Sequence, residues 1–246
     1  MNKAIVTGHS RGLGAAIAAT LLSRRIPVLG LARSVDERAA AQFPGLLEQV
    51  AIDLADSQAL ADWLAGDSLQ RWLAGCASPI LIDNAGTLGP VGPLDTQAPH
   101  AIARAVALNV AAPLMLAGAF VAATPDAGDR RIVHVSSGAA RNAYAGWAVY
   151  CATKAALDQH ARAVALDRTP GLRICSLAPG VIDTDMQAEI RATAVERFPH
   201  RARFEALERD GALASPEACA KRLVDHLLGA HFGESPVADL RELAPG

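Results

Sequence analysis

Short apolar runs alternate with longer amphipathic ones over the first 180 residues, and this alternation limits the possible folds severely. The short runs are rich in Val, Ile and Leu and do not strictly alternate with polar residues, as expected of strands covered on both faces. Six strands are predicted at Ala4 to Thr7, Val28 to Ala32, Leu47 to Ile52, Ile80 to Asp83, Ile132 to Ser136 and Arg173 to Ala178. Helical patterns separate them at Gly14 to Arg24, Ser57 to Ala65, Ala98 to Ala123 and Ala148 to Asp167. The chain is therefore predicted to form an α/β fold with a doubly wound parallel sheet.

We predict one Rossmann-type domain over residues 1–246, because no internal repeat and no low-complexity linker interrupts the chain. After Pro179-Gly180 the pattern changes to an Arg- and Glu-rich segment. This segment still carries an apolar set made of Met186, Ile190, Val195, Phe198, Phe204 and Leu207. We interpret residues 183–214 as a helical lid over a ligand crevice, following the sixth strand. An ordinary packed helical hairpin is the alternative.

Composition excludes several classes of protein. The 246 residues are 51% hydrophobic with a formal net charge of −2, so the chain is too apolar for disorder and lacks the basic excess of nucleic-acid binders. The four cysteines stand far apart, without the spacing of a zinc site or a disulfide scaffold. We predict no metal and a reducing, cytoplasmic compartment. His134, His160 and His226 are interpreted as isolated core or surface histidines.

The stretch from Ala105 to Thr124 meets the length criterion for a membrane span. It is rich in Ala and Gly, however, and lies between two segments that are predicted to be strands of one sheet. We therefore interpret it as a helix buried against the sheet or a partner, and we expect no membrane association. The apolar residues Ala4 to Val6 are too few for a signal peptide.

A glycine-rich turn follows the first predicted strand and leads directly into a helix, with the sequence Thr7-Gly8-His9-Ser10-Arg11-Gly12-Leu13-Gly14. Glycines allow a tight turn and a close approach to a pyrophosphate, whose charge is stabilised by N–H groups at the helix start. The spacing is G-x-x-x-G-x-G, which differs from the common G-x-G-x-x-G fingerprint. At a first β-α junction it predicts a dinucleotide site that includes Gly8, Ser10, Arg11, Gly12, Leu13 and Gly14.

The end of the second predicted strand favours NADP over NAD. An NAD site usually has Asp or Glu at this place to bind the ribose 2′-hydroxyl, whereas this chain has Arg33-Ser34. Two guanidiniums, with Arg11 as the second, and the hydroxyls of Ser10 and Ser34 suit a 2′-phosphate. Asp36 and Glu37 follow closely, and contact of either with the ribose would weaken or reverse the preference.

Tyr150 and Lys154 stand four residues apart, so they share one face of a predicted helix. An unperturbed tyrosine has a pKa of about 10, too high for efficient acid–base catalysis at neutral pH. A cation within about 4–6 Å favours the phenolate, so we expect Lys154 to lower the pKa of Tyr150. The pair is a candidate for general acid–base catalysis.

Together with the glycine turn, this pair makes the chain resemble the short-chain dehydrogenase/reductase family across essentially its whole length. The matching pieces occur in family order and spacing: Thr7-Gly8-x-x-x-Gly12-x-Gly14, Asp53-Leu54, Asn84-Ala85-Gly86, Asn109, Ser136-Ser137, Tyr150-x-x-x-Lys154 and Pro179-Gly180. The segment from Pro179 to Arg191 looks like the sepiapterin reductase and benzil reductase branch. Members of that branch are NADPH-dependent reductases of ketones and vicinal dicarbonyls.

The resemblance implies a role for each matching residue. Tyr150 would protonate the substrate carbonyl oxygen during hydride delivery, Ser137 would hold that oxygen, and Lys154 would bind the nicotinamide ribose. Trp147 and Met186 are candidates for the wall of the substrate pocket. The remaining cofactor contacts would come from Arg33, Ser34, Asp53, Leu54, Asn84, Ala85, Gly86, Pro179, Gly180, Val181, Ile182 and Thr184.

Asn109 stands four residues before Pro113, which has no N–H to donate to the carbonyl of residue 109. If this segment is helical, that carbonyl loses its usual partner and the helix is locally deformed. A free carbonyl here could hold a water that links Lys154 to solvent, which matches the proton relay that the resemblance implies for Asn109.

The sequence thus predicts NADPH-dependent reduction of a ketone or a vicinal dicarbonyl, with a small-molecule carbonyl compound as substrate. Two alternatives remain open: an NAD-dependent alcohol dehydrogenase, and a non-catalytic NADP-binding sensor on the same fold. The apolar stretch from Leu114 to Val121 and the helix that bears Tyr150 also indicate self-association, as a homodimer or a homotetramer.

Overall fold

A computed structural model of the protein describes residues 2–243. Within that range seven parallel strands form one sheet in the order β3-β2-β1-β4-β5-β6-β7. The strands are β1 (Asn2–Thr7), β2 (Val28–Ala32), β3 (Leu47–Ala51), β4 (Ser78–Asp83), β5 (Arg130–Val135), β6 (Leu172–Ala178) and β7 (Val237–Asp239). The predicted doubly wound parallel sheet is confirmed. Six strands lie within two residues of their predicted bounds, and the short edge strand β7 was missed.

Helices cover both faces of the sheet. In the described part of the chain they are α1 (Gly12–Ser23), α2 (Glu37–Gln42), α3 (Ser57–Ala65), α4 (Ser68–Leu73), α5 (Pro99–Val106), α6 (Ala112–Ala122), α7 (Ala148–Leu166), α8 (Asp185–Ala192), α9 (Arg201–Arg209) and α10 (Pro216–Leu228). Alternate residues of each strand enter different cores, because successive side chains point to opposite faces. Ala4 and Val6 of β1 pack with α1 and α10, whereas Ile5 packs with α3 and α6.

The helix predicted from Ala98 to Ala123 is interrupted in its middle. A single π-helical turn, Ala107–Ala111, separates α5 from α6, and the Ala112 N–H bonds the carbonyl of Ala107, five residues earlier. Pro113 is the physical reason, since it provides no N–H for the carbonyl of Asn109. The local deformation expected from this proline is confirmed.

The span Pro99–Ala122 is long and apolar enough to cross a membrane by length and composition alone. Its inner face nevertheless packs into the protein, because Leu116, Ala117 and Phe120 are buried in the core beside β1 and β4. This is the burial that we expected of a helix lying against the sheet.

Residues 183–214 form two helices, α8 and α9, that lie beside the carboxyl ends of the strands. A bridge between Ile182 and Ala214 closes the base of the segment. Phe198 and Phe204 are buried, as the apolar pattern indicated, but Val195 from the same set is 47% exposed. The interpretation of the segment as a lid stays a prediction.

The turn between β1 and α1 is packed too tightly for any side chain at one of its glycines. A Cβ atom at Gly14 would lie 2.0 Å from the carbonyl oxygen of Gly8 and 2.4 Å from Nδ2 of Asn84. Gly8 itself has a φ of 68°, a conformation that glycine adopts without strain. The start of α1 therefore lies directly against the loop that follows β4.

Replacing Gly14 by alanine should destabilise the fold by about 1–3 kcal/mol, because the added methyl group overpacks rigid backbone. Urea unfolding of the cofactor-free protein measures the change. Gly118→Ala on α6 is the matched control, since a Cβ there meets no atom within 4 Å. That variant should be unchanged or more stable by about 0.5–1 kcal/mol. A Gly14→Ala protein as stable as the control contradicts the tight packing.

Candidate active site

A cavity of about 1170 Å³ opens at the carboxyl ends of the central strands. This is where ligands bind in open parallel sheets. Every residue predicted from sequence to contact cofactor or substrate lines the cavity, from Gly8 in the glycine turn to Thr184 and Met186 before and within α8. Asn109 is the exception among the predicted site residues, because it is buried behind the wall.

The glycine turn is held in place by the loop after β4. The hydroxyl oxygen of Thr7 accepts hydrogen bonds from the backbone N–H groups of Asn84 and Ala85, both at 2.9 Å. The Asn84 amide returns a bond to the Thr7 carbonyl at 3.0 Å. Two walls of the cavity are thus fixed to each other, and Gly8, Asn84 and Ala85 all line it.

The cavity end beside β2 presents cationic and hydroxyl groups. Arg11 and Arg33 both line it, and the hydroxyls of Ser10 and Ser34 lie 3.1 Å apart. Arg11 also approaches Asp185 at 3.7 Å, but the two side chains are 69% and 85% exposed, so this ion pair is weak.

Asp36 is one of the two acidic residues whose contact with the ribose would weaken the preference for NADP. In the structure its side chain is engaged at the start of α2. Its carboxylate accepts a hydrogen bond from the Ala39 N–H at 3.0 Å and caps the start of α2. Its own N–H donates to the Gln49 side chain at 2.6 Å. Asp36 and Glu37 both lie outside the lining of the cavity, whose residues at this point are Arg33 and Ser34.

Asp53 makes an ion pair that the sequence did not reveal. Its carboxylate accepts a bond from Arg104 of α5 at 2.7 Å and another from the Ala55 N–H at 3.0 Å. Partial burial opposes ionisation, but the Arg104 bond and the nearby charge of Arg33 hold the pKa of Asp53 below its usual value. The pair fixes α5 to the loop after β3, so Arg104 is a wall residue of the cavity.

The two serines after β5 have different partners. The Ser136 hydroxyl donates to the buried carboxylate of Asp158 at 2.8 Å, whereas the Ser137 hydroxyl accepts from the Ala139 N–H at 3.2 Å and neighbours the phenol of Tyr150, whose pKa it lowers. Ser137 and Tyr150 both line the cavity. A carbonyl oxygen placed between these hydroxyls would be within reach of both.

The expectation that Lys154 lowers the pKa of Tyr150 is wrong for this structure. Burial raises the pKa of Tyr150 above its usual value, and the neighbouring Ser137 hydroxyl only partly offsets that rise. The ammonium of Lys154 donates to the Val135 carbonyl at 2.7 Å and lies 5.8 Å from the centre of the Tyr150 ring. Helical spacing placed the two residues on one face, but it gave no information on burial or on the direction of the lysine.

Asn109 is fully occupied by neighbours of the site. Its amide oxygen accepts from the Thr87 N–H at 2.9 Å, and its amide nitrogen donates to the Thr87 carbonyl at 2.8 Å and to Thr153 at 3.1 Å. A Cβ atom at Gly86 would lie 3.3 Å from this oxygen and 3.7 Å from the ammonium of Lys154. The side-chain amide of Asn109 therefore orders the loop beside Lys154 through these hydrogen bonds.

An aromatic wall closes the cavity opposite the glycine turn. Trp147 stacks on Phe198 with ring centres 4.4 Å apart and meets the edge of Tyr150 at 5.6 Å. Phe204 of α9 completes this wall at 5.5 Å from Trp147. The apolar pattern indicated that Phe198 and Phe204 are buried, but their contact with Trp147 depends on the fold.

His134 and His160, interpreted from sequence as isolated, lie in contact. His134 on β5 is fully buried and hydrogen-bonds Asp83 at 2.9 Å and His160 of α7 at 3.0 Å. Burial and the neighbouring His134 lower the pKa of His160 to about 4. Among residues 2–243 no group of three or more His, Cys, Asp or Glu side chains is arranged to hold a metal ion.

Comparison with known proteins agrees with this geometry. The family model of the short chain dehydrogenases matches residues 2–195. A benzil reductase, (S)-benzoin forming, from Bacillus cereus is 34% identical over 249 residues, covering 98% of this chain and 100% of the relative. A sepiapterin reductase from Meriones unguiculatus is 34% identical over 238 residues, with 91% and 90% covered.

Among solved structures, a short-chain dehydrogenase/reductase from Burkholderia vietnamiensis is 48% identical. It superposes with a TM-score of 0.72 and covers 99% of this chain and 98% of its own. The resemblance drawn from the sequence motifs, including the benzil and sepiapterin reductase branch, is confirmed. The chain belongs to the short-chain dehydrogenase/reductase family and is an NAD(P)-dependent oxidoreductase.

Proposed function

We propose that the protein uses NADPH to reduce a ketone or a vicinal dicarbonyl to the corresponding alcohol. The observation that carries the proposal is the pair of neighbouring hydroxyls of Ser137 and Tyr150 on the wall of a cavity that also contains the glycine turn. The named activities of the two reductase relatives support this choice of substrate class.

The nicotinamide cofactor supplies the hydride when it is bound. Tyr150 acts as general acid and donates its phenolic proton to the carbonyl oxygen, while Ser137 holds that oxygen by a hydrogen bond. Because burial raises the pKa of Tyr150, the phenol carries its proton at neutral pH. That state suits reduction, in which a proton must be delivered to the substrate.

Lys154 binds the nicotinamide ribose through its buried ammonium in this proposal. Burial lowers the pKa of Lys154 to about 8, against the opposing influence of Asp158 and Asp83. Below pH 8 the side chain is therefore mainly charged and donates hydrogen bonds. Asn109 orders the loop beside it, and the Asn109 carbonyl would hold the water that connects Lys154 to solvent.

The preference for NADPH rests on the cavity end beside β2. Arg11, Arg33, Ser10 and Ser34 line that end, and the Asp36 carboxylate is engaged in capping α2. Cations and hydroxyls in this place suit a phosphate on the 2′-oxygen. Gly8, Gly12 and Gly14 line the cavity at the start of α1, where a helix N-terminus suits a pyrophosphate.

Three further features belong to the proposal. Residues 183–214 act as a lid whose Met186, with Trp147, contacts the substrate. The outer face of α6, together with α7, mediates self-association as a homodimer or homotetramer, because the apolar span Pro99–Ala122 is only partly buried in the single chain. The enzyme is soluble and works in the cytoplasm.

Tyr150→Phe should lower the rate of NADPH oxidation with a diketone such as benzil by about 10²- to 10⁴-fold, because the general acid is removed. NADPH binding, measured by fluorescence, should persist. Tyr144→Phe is the matched control, since Tyr144 is the second of the two tyrosines and also lines the cavity. It should keep most of the turnover. Full turnover by Tyr150→Phe contradicts the acid role, and NADPH binding without turnover in the wild type favours the sensor.

Arg33→Asp should weaken NADPH relative to NADH by about 10- to 100-fold, since hydrogen bonds to charged groups contribute about 1.5–3 kcal/mol. Steady-state kinetics with both cofactors give the ratio. Arg38→Asp on α2 makes the same charge change outside the cavity lining and should leave the ratio nearly unchanged. An enzyme that prefers NADH before any substitution supports the NAD-dependent alternative.

Pro113→Ala should restore an N–H donor to the carbonyl of Asn109 and shorten the π-helical turn. We expect kcat to fall several-fold while the free energy of unfolding stays the same or rises. Pro99→Ala in the first turn of α5 serves as control, because that position needs no N–H donor. Unaltered kcat in a folded Pro113→Ala protein argues against the relay through the carbonyl.

A further inference from the structure

Helix α8 begins with the sequence of a capping box, but the structure leaves the box unformed. Thr184 precedes the first turn, and Gln187 stands three positions later. In a capping box the Thr hydroxyl accepts from the N–H of the third helical residue, whose side chain accepts from the N–H of the Thr. Here the Thr184 hydroxyl caps no N–H group and donates to the Ile182 carbonyl at 3.4 Å. The two side chains that could cap α8 are therefore not used for that purpose.

The side-chain amide of Gln187 is buried without a partner. The residue is 7% exposed, and its Oε1 atom accepts no hydrogen bond within the described residues. Its amide nitrogen makes no hydrogen bond to any residue that the structure describes. Buried amide groups are nearly always hydrogen-bonded, because an unpaired one is costly. Gln187 lines the cavity, so the partner that its amide lacks can come from a ligand.

The position of Gln187 on α8 places it between the two ends of the cavity. Thr184, one turn earlier, approaches the glycine turn, since a Cβ atom at Gly12 would lie 3.5 Å from its Cγ2 atom. Ile190, one turn later, is buried in the apolar cluster that contains Tyr150. These three side chains of α8 share one helix face that is about 9 Å long. Gln187 thus lies where a substrate beside Tyr150 would meet the cofactor.

Trp147 is the other residue of the cavity lining with a buried unpartnered atom, its Nε1, among the described residues. Its ring is fixed by the stack on Phe198 and by the edge contact with Tyr150. The Gln187 amide instead ends a flexible side chain, and a half turn about its last bond exchanges the oxygen and the nitrogen. It can therefore present an N–H group to a ligand without a change in the aromatic wall.

We propose that Gln187 is a specificity-determining residue, whose amide donates a hydrogen bond to a second oxygen of the substrate, on the carbon next to the reacting carbonyl. The inference rests on the proposed function and deepens it, because it selects vicinal dicarbonyl compounds over simple ketones. Tyr150 and Ser137 contact the oxygen that is reduced. The second oxygen loses its hydration in the cavity, so it needs a donor of its own. A site built to bind that oxygen discriminates against a ketone that lacks it.

The first experiment compares benzil with 1,2-diphenylethanone, which has the same two phenyl rings but a methylene group in place of one carbonyl. Gln187→Met keeps the length of the side chain and removes both polar atoms. We expect the ratio of kcat/KM for benzil to kcat/KM for 1,2-diphenylethanone to fall about 5- to 50-fold relative to the wild type, because the hydrogen bond is lost. An unchanged ratio overturns the proposal.

Two further measurements separate substrate recognition from a structural role. The free energy of unfolding of the cofactor-free Gln187→Met protein should be unchanged or higher, since an unpaired polar group is removed from the interior. NADPH affinity, measured by fluorescence, should also be unchanged. A large loss of stability or of NADPH affinity contradicts the proposal, because it assigns Gln187 to the packing of α8 or to the cofactor.

Gln97→Met is the matched control. Gln97 is also 7% exposed with an unpartnered Oε1 within the described residues, but it lies outside the cavity lining. Its amide nitrogen donates to the Gly92 carbonyl at 2.7 Å. Its replacement should therefore lower the free energy of unfolding and leave the substrate ratio unchanged. An equal fall of the ratio in both variants contradicts a specific contact at Gln187.

Titration calorimetry of the NADP⁺-saturated protein with each compound keeps this inference distinct from the proposed function. If the wild type reduces neither compound, the proposed function fails, and tighter binding of benzil that Gln187→Met abolishes still supports the hydrogen bond. Reduction of both compounds with a ratio that Gln187→Met leaves unchanged supports the proposed function and overturns the role of Gln187. A wild type that binds neither compound overturns both.

Discussion

The arrangement of the site depends on a cation buried in the protein. Lys154 is 5% exposed, and its ammonium is fixed to the Val135 carbonyl at the end of β5. A buried ammonium is expensive unless it is hydrogen-bonded and compensated by charge. Asp158 lies one turn further along the same helix, and Asp83 at the end of β4 is held by His134 of β5. Helix α7 and strands β4 and β5, which meet at the cavity, therefore all carry groups that surround the buried charge of Lys154.

The parts of this arrangement that the sequence predicted are local ones. The glycine turn and the Tyr150–Lys154 pair are encoded within a few residues, and their spacing alone determines which faces they share. The Asp53–Arg104 ion pair joins residues 51 positions apart, so no pattern along the chain reveals it. For the same reason the sequence gives no sign that His134 and His160, which are 26 positions apart, lie in contact. The spacing of Tyr150 and Lys154 predicts their proximity but not the burial that raises the pKa of Tyr150.

Residues 183–214, the segment interpreted as a lid, are fixed to the rest of the fold at their middle as well as at their ends. Gly146 has a φ of 83°, and a Cβ atom there would lie 2.2 Å from the carbonyl oxygen of Arg197. The Arg197 side chain in turn donates to the Val91 carbonyl at 3.1 Å. Phe198 follows directly and stacks on Trp147. If the segment moves as a lid, the motion must therefore pivot around this contact or break the aromatic stack.

The two ends of the cavity differ in charge, and this difference bears on how a dinucleotide can enter. Arg11 and Arg33 line the end beside β2, whereas Trp147 and Tyr150 line the other end. A phosphorylated ribose gains from the guanidiniums and would lose its hydration without compensation against the aromatic wall. In the proposed binding mode, this orientation would place the reactive ring beside Tyr150. The guanidiniums at one end of the cavity would thus determine which part of the dinucleotide reaches Tyr150 at the other end.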